Sequence, residues 1–467
     1  MQLPIIKIAP IVAVHGPEFR DVFNNRCQYQ HFENYVTGLM VLDDKSMANI
    51  ARCIVESADK TNLSRFFSDA PWYAEEVNQR RVKYMIQQTT AYRQSKQPSV
   101  LGIDDTLCEH VGTLFEYVDR HYNHGDGQYP LSHNLITSHY VNGKVRFPVD
   151  ALLYRRYEEM TQWTEYVAKH FPGEEIPKKK KELTAFHKRV DPVLLTDPEF
   201  QRLHEQFRTK ITLASNLLDQ AVTHLLPFQW VLFDGWYLAP EFLTAITTQK
   251  KDWISILKSN RNIETNSFVL RNEAGEAIPF NEPLISVEEL VKLIPKSAFT
   301  PIPVEEQTYY TFTFTVRIPS IGKVRLVISF NTPELDKSFV VLVSNRTDCT
   351  AKELISTYLL RWPIETFYQD SKQLLGLDEY RMRLAEAIQK HWSLVFVAYS
   401  FLHLDCLAAS LTKKPSLPLQ SIGDAVRRQT QSLIQDLILF AHDALLKGQS
   451  VQQLFTFLFA KQQALTP

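Results

Sequence analysis

The chain has 467 residues, 45% of them apolar and 12% aromatic, enough to bury sizeable cores and too many for a disordered or fibrous protein. A formal net charge of −1 leaves no global basic imprint, so any contact with nucleic acid has to come from local patches. Five cysteines, Cys27, Cys53, Cys108, Cys349 and Cys406, lie scattered without a CxxC pair, which supports neither a zinc ribbon nor a disulfide framework and fits a reducing cytoplasm.

The opening MQLPIIKIAPIVAV is apolar, yet Lys7 and Pro10 interrupt it and no cationic stretch precedes it; an N-terminal arm or strand is expected rather than a signal peptide. Residues 1–95 alternate apolar patches with Asn, Asp and Arg at helical spacing, as in FENYVTGLMVL, and predict a small helical domain. One of its helices, WYAEEVNQRRVKYMIQQ, carries Arg80, Arg81 and Lys83. Packing alone would explain such a module.

Two later runs are of another kind. PSVLGIDDT passes through Val100, Leu101 and Ile103 straight into Asp104 and Asp105, and FQWVLFDG does the same into Asp234. Both read as buried strands that end in acid, since a buried strand tolerates no naked carboxylate in its middle. Between them, LITSHYVNGKVRFPVDALLY turns at Asn142-Gly143 and predicts a hairpin. Residues 155–226 read as helical and charged, with a Pro- and Lys-rich loop around 172–181. After Asp234, APEFLTAITTQ predicts a helix and DWISILK a strand, a β, α, β succession. Residues 263–345 contain TYYTFTFTVRI, KVRLVISF and SFVVLVS, whose period of two predicts an antiparallel β-rich insertion. Basic clusters at Lys178–Lys181, at Lys250, Lys251, Lys258 and Arg261, and at Arg427 and Arg428 are each more often solvated faces than binding sites.

The stretch YLLRWPIETFYQDSK places Tyr358, Arg361, Glu365 and Lys372 at offsets of 0, 3, 7 and 14. At about 100° per residue they share a helical arc of about 60°. A carboxylate there suits a metal ion, and the hydroxyl and cations suit phosphate oxygens. An ordinary i, i+4 pair of Arg361 and Glu365 is the plainer reading and is worth only about 0.2–0.5 kcal/mol. Pro363 interrupts the arc, so a kink or helix start is expected between Arg361 and Pro363. Beyond it, Trp392–Ala409 reads as a buried core helix too polar for a membrane span, and DAVRRQTQSLIQDLILFAHDALL as an amphipathic one.

With its acids in the order Asp, Asp, Glu, the chain resembles the insertion-sequence transposases of the ribonuclease-H-like DDE superfamily, in the branch marked by Tyr-x2-Arg-x3-Glu-x6-Lys. The resemblance spans roughly residues 96–412. It implies an α/β ribonuclease-H-like core interrupted by a β-rich insertion, with helical N-terminal and C-terminal regions. The expected division is 1–95 for end-DNA binding, 96–262 and 346–412 for the core, 263–345 for the insertion and 413–467 for the C-terminal helices. By position Asp234 and Glu365 match the second and third acids. Asp104 fits the Asp-x-Thr form with Thr106 and is preferred, whereas Asp105 fits variants with Asp-Thr adjacent. The implied activity is cutting at transposon ends and joining of the 3′-hydroxyl to target DNA, with two Mg²⁺ ions (or Mn²⁺) on Asp104, Asp234 and Glu365. Tyr358, Arg361 and Lys372 are implied to hold DNA phosphates. The implied partners are transposon-end and target DNA and a second subunit in the DNA complex, with no membrane and a cytoplasmic location. His110, His139 and His391 are expected to be structural. A nuclease of the same fold without strand transfer, a non-cutting DNA-binding descendant and an acid/base hydrolase are the rivals; the descendant would normally lose an acid, and the hydrolase leaves the Tyr, Arg and Lys unexplained.

Overall fold

The structure is a computed structural model that describes residues 3–55, 60–123, 125–336, 338–411 and 419–463; the expected boundary at 412/413 lies outside them. Five helices come first: α1 (Pro10–His15), α2 (Arg26–Val41), α3 (Met47–Cys53), α4 (Lys60–Ser68) and α5 (Ala74–Gln88). Asn25 caps α2 by accepting the Gln28 N–H, and Ser46 caps α3 through the Asn49 N–H. The N-terminal arm makes a single parallel bridge, from Ile5 to Ile54.

Strands β1 (Ser99–Glu109), β2 (Asp119–Arg120), β3 (Leu131–Asn142) and β4 (Val145–Tyr154) follow. The β3–β4 turn is formed by Gly143 and Lys144, one position later than the sequence suggested, because Asn142 still pairs with Val145. Gly143 sits at φ +58°, a conformation that favours glycine. Helices α6 (Tyr157–Met160), α7 (Trp163–His170), α8 (Lys180–Leu194) and α9 (Pro198–Gln206) bury a small cluster of their own around Trp163, Phe186 and Phe200. Next come α10 (Lys210–Thr223), β5 (Trp230–Phe233), α11 (Pro240–Thr248) and β6 (Asp252–Ile256).

The β-rich stretch holds β7 (Asn262–Glu264), β8 (Leu284–Ser286), α12 (Val287–Leu293), β9 (Thr300–Val304), β10 (Gln307–Ile318), β11 (Gly322–Phe330) and β12 (Val340–Ser344). The chain then closes with α13 (Ala351–Leu359), α14 (Pro363–Leu375), α15 (Ala385–Ser410), α16 (Ile422–Leu446) and α17 (Val451–Gln463). Ten strands form one mixed sheet in the order β2-β3-β1-β5-β6-β12-β11-β10-β9, with β4 on β3. Strands β1, β5 and β6 are parallel, and β12 joins β6 antiparallel. The insertion therefore prolongs the core sheet. Helical N- and C-terminal regions around this sheet give the ribonuclease-H-like α/β architecture expected from the sequence.

Side chains alternate across the central strands and sort its two faces. Leu101, Ile103, Val231 and Phe233 pack with Leu217 of α10 and Phe242 of α11. Val100 and Leu232 pack with Leu354 and Ile355 of α13, and a Cβ at Gly102 would meet Ile364 of α14 at 3.9 Å. Helix α15 is long and apolar enough to cross a membrane, but 78% of its most apolar window is buried inside the protein. It shares one apolar core with α14 and with Phe32, Tyr35, Phe66, Phe67 and Trp72 of the N-terminal region.

Candidate active site

Alternation decides which acids can meet. Asp104 and Asp234 continue the even-numbered series that faces α13 and α14, whereas Asp105 continues the odd-numbered series that faces α10 and α11. The structure departs from the sequence reading in one respect: Asp104 does not end its strand, because β1 runs on to Glu109 against β3. Its parallel partner β5 pairs only with Val100, Leu101 and Gly102. The carboxylates thus stand where one neighbouring strand has stopped, which opens the sheet beside them.

Asp234 follows β5 directly, and its main chain is clamped. Ser255 Oγ donates to the Asp234 carbonyl at 3.1 Å, and the Trp236 N–H donates to Asp234 Oδ1 at 2.9 Å. The turn comes so close to β6 that a Cβ at Gly235 would lie 2.8 Å from the Ile256 carbonyl oxygen. Glycine is required there by that approach. Burial raises the Asp234 pKa, opposed by the Trp236 N–H.

The helical face of the signature is divided at the break expected from Pro363. Helix α13 stops at Leu359 and α14 starts at Pro363, with the proline in its first turn. Tyr358 lies on the first helix, Glu365 and Lys372 on the second, and Arg361 in the break. From the break the Arg361 guanidinium reaches Asp104 Oδ2 at 2.5 Å and Glu365 Oε1 at 3.2 Å. Burial raises the Asp104 pKa, and Glu365, Asp105 and Asp234 push the same way while Arg361 opposes them. Arg361 is held charged: burial works against it, but Tyr358, Asp104 and Glu365 outweigh the burial. Tyr358 lies beside Arg361, 5.9 Å from guanidinium carbon to ring centroid, and its hydroxyl contacts the Phe233 carbonyl at 3.5 Å. Burial pushes that hydroxyl up to about 12. Lys372 stands apart from the acids and donates to the Leu107 carbonyl at 2.7 Å.

Asp105 has both oxygens engaged on the other face, by Lys210 Nζ at 2.8 Å and by the Tyr237 hydroxyl at 2.9 Å. Lys210, Tyr237, Trp236, Gly235 and Ser255 all escaped the sequence reading. The pair Trp236-Tyr237 directly after FDG was the only local signal; Lys210, 105 residues from its partner, gave none. Asp104, Glu365 and Arg361 meet by contact and Asp234 joins them electrostatically, but among the described residues no three His, Cys, Asp or Glu side chains close up at metal-binding spacing. A guanidinium stands between two of the carboxylates instead. An all-oxygen set of partly buried, mutually repelling carboxylates is the donor chemistry that suits a hard divalent cation, so the residues fit one.

The remaining sequence candidates are elsewhere. His391 bridges Tyr35 and the Gly376 carbonyl in the core, and His139 and His110 pack among aromatic rings. Arg81 is fully buried, bound to the Pro148 and Val149 carbonyls, Asn78 and Ser400. Arg80 is paired with Asp21, Arg427 with Asp424 and Arg428 with Asp405.

Compared with known families, residues 18–268, more than half of the chain, match a model described as DDE superfamily endonuclease, and residues 168–401 match one described as transposase DDE domain. No curated protein matches the chain. The first match contains Asp104 and Asp234, the second Asp234, Glu365 and the whole 358–372 stretch.

Proposed function

Because this chain belongs to the DDE superfamily of transposase-type endonucleases, we propose that it cuts DNA at insertion-sequence ends and joins the freed 3′-hydroxyl to target DNA. The observation that supports this most is the meeting of Asp104, Asp234 and Glu365, drawn from three separate segments, on one face of the sheet around Arg361. These three carboxylates would hold two Mg²⁺ ions, or Mn²⁺. When bound, such ions sharpen the attacking oxygen as a nucleophile and neutralise charge on the leaving oxygen.

The other residues bind and orient. Arg361, which holds Asp104 and Glu365, has a planar fork that matches phosphate as well as carboxylate and would bind a DNA phosphate beside them. Tyr358 keeps the guanidinium in place and offers its hydroxyl. Lys372, which donates to the Leu107 carbonyl of β1, would hold a phosphate further along the strand. Asp105 keeps Lys210 and Tyr237 in register beneath the site and takes no part in metal binding.

Residues 1–95 are assigned to end recognition, 96–262 with 346–412 to the catalytic core, 263–345 to the insertion and 413–467 to pairing of two subunits on DNA. Ile438, Leu446 and Val451, exposed on α16 and α17, supply the apolar surface for that pairing. The cytoplasm, where five unpaired thiols are stable, is the proposed place of action.

The test is incubation of labelled end DNA, taken from the flanks of the encoding element, with Mg²⁺ and a target plasmid. Cut ends and joined products are expected. Cut ends alone would make the protein a nuclease without strand transfer, and intact DNA would end the reading.

A further inference from the structure

Strand β4 turns a cation toward a covered face of the sheet. Val145 and Phe147 pack on the side of α10, so Arg146 between them points to the opposite face, beside its cross-strand partner Val141, which packs with Leu354 and Ile355 of α13. Arg146 is partly buried. Among the described residues its guanidinium nevertheless makes no hydrogen bond and no ion pair, and Asp370 of α14 acts on it only from a distance. A cation withdrawn from water without a partner is costly to keep.

Arg146 lines a cavity of about 580 Å³ between the β3–β4 turn, the α13–α14 break, the end of α15 and the start of α16. Sites for small molecules occupy about 300–1,000 Å³ and combine apolar walls with a few converging polar groups. Here the walls include Leu360 and Pro363 from the break and Leu407 from α15. Lys144, in the turn, supplies a second cation that has no partner among the described residues. His403, 3% exposed, accepts the Arg146 N–H at Nε2 over 3.1 Å. Its Nδ1 therefore carries the proton, and among the described residues that N–H meets no acceptor. No Asp or Glu is found among the described residues that line the cavity.

We propose that this cavity binds a small organic anion, a carboxylate or a phosphate carried on an apolar body. Arg146, Lys144 and the His403 Nδ1–H take the charge, and Leu360, Pro363 and Leu407 cover the body. The site lies next to the break that positions Arg361, but the inference does not depend on the DNA-cutting reading. A bare phosphate ion would leave the apolar walls wet. A DNA duplex offers its phosphates on a convex polar surface and has no apolar group to fill the cavity, so a small molecule fits it better.

The test is calorimetric titration of the full chain, without metal or DNA, with 2-naphthyl phosphate, 2-naphthoate, 2-naphthol and inorganic phosphate. At least one of the two naphthyl anions is expected to bind about tenfold or more tightly than 2-naphthol and inorganic phosphate, and the tighter of the two identifies the head group. Arg146→Gln and Lys144→Gln should each weaken that anion about tenfold and leave 2-naphthol unchanged. Lys144 is exposed on a turn, so its variant is expected to keep the wild-type melting temperature even if Arg146→Gln does not. The proposal is overturned if neither anion binds, if 2-naphthol binds as tightly as the anions, or if Lys144→Gln and a folded Arg146→Gln both retain wild-type affinity. A short blunt duplex that displaces the bound anion from the wild type would also overturn it, by assigning these cations to DNA. Because no cleavage is measured, failure to cut end DNA would sink the catalytic reading and leave this result untouched.

Discussion

Two adjacent aspartates that the sequence left as alternatives differ in their surroundings. Asp104 meets Arg361, and Asp105 is saturated by Lys210 and Tyr237. Asp104→Asn is therefore expected to give a folded, inactive protein. Asp105→Asn should instead strand the Lys210 charge and lower stability by about 1–3 kcal/mol while cleavage persists. Melting curves and single-turnover cleavage of end DNA separate the two; equal inactivity without any change in melting would assign Asp105 to the chemistry. At Gly235 the outcome follows from space alone. An added methyl group at 2.8 Å from the Ile256 carbonyl forces the turn apart, so Gly235→Ala should cost about 1–3 kcal/mol and displace Asp234 enough to lose cleavage. A variant with wild-type melting and rate would mean that the turn yields freely.

Histidine 391 supplies a pH dependence. The Gly376 carbonyl can only accept, so Nε2 carries the proton and Nδ1 accepts from Tyr35. Burial lowers its pKa from 6.5 to about 4. Between those values the unfolded chain binds a proton that the fold refuses, so stability falls as pH drops below 6.5 and is level above it. Burial lowers His403 too, to about 3, and adds to the same acid limb. In His391→Gln the melting temperature should drop less than in wild type between neutral pH and pH of about 5. An identical drop would place the acid sensitivity in other groups.

At the scale of elements, much of the architecture was legible because it rests on periodicity. The apolar run of α15, the hairpin of β3 and β4, and the strands from β10 to β12 all follow from local pattern. What pattern could not supply was termination. Nothing in PSVLGIDDT says that β5 ends after four residues while β1 continues for eleven, yet that mismatch is what admits a carboxylate to mid-strand. Pro363 did announce a break, but not that the break would carry Arg361 onto Asp104, 257 residues away. Replacing Pro363 by alanine permits α13 and α14 to run together, since no pyrrolidine ring then blocks the preceding turn. Stability should change by less than about 1 kcal/mol while cleavage falls more than tenfold. A single-turnover rate equal to wild type would show that the break is held by packing alone.

For the whole molecule, Arg81 joins elements that the sequence assigned to different domains. It lies on α5, binds carbonyls of β4 and Ser400 of α15, and packs over the Phe396 ring. Burial depresses its pKa to about 9 against the pull of Asp150, and carbonyl dipoles and the Phe396 ring face the guanidinium. Arg81→Met should strip hydrogen bonds from several buried acceptors at once and cost about 2–4 kcal/mol in denaturant unfolding, with no specific effect on DNA affinity in variants that remain folded. A weakening of DNA binding at unchanged stability would return Arg81 to the recognition surface where its sequence neighbours had placed it.

The core shared by α2, α4, α14 and α15 sets an order of events during synthesis. The ribosome delivers the phenylalanines and Trp72 of the first hundred residues long before it delivers α15, which ends at Ser410. At about 5–20 residues per second, those side chains wait for tens of seconds without their cover. The first helices are thus made well before their core is complete, and apolar side chains exposed for that interval favour aggregation and chaperone binding. A chain that stops before α15 leaves these side chains without their cover and is expected to yield little soluble protein, read as the soluble fraction on expression.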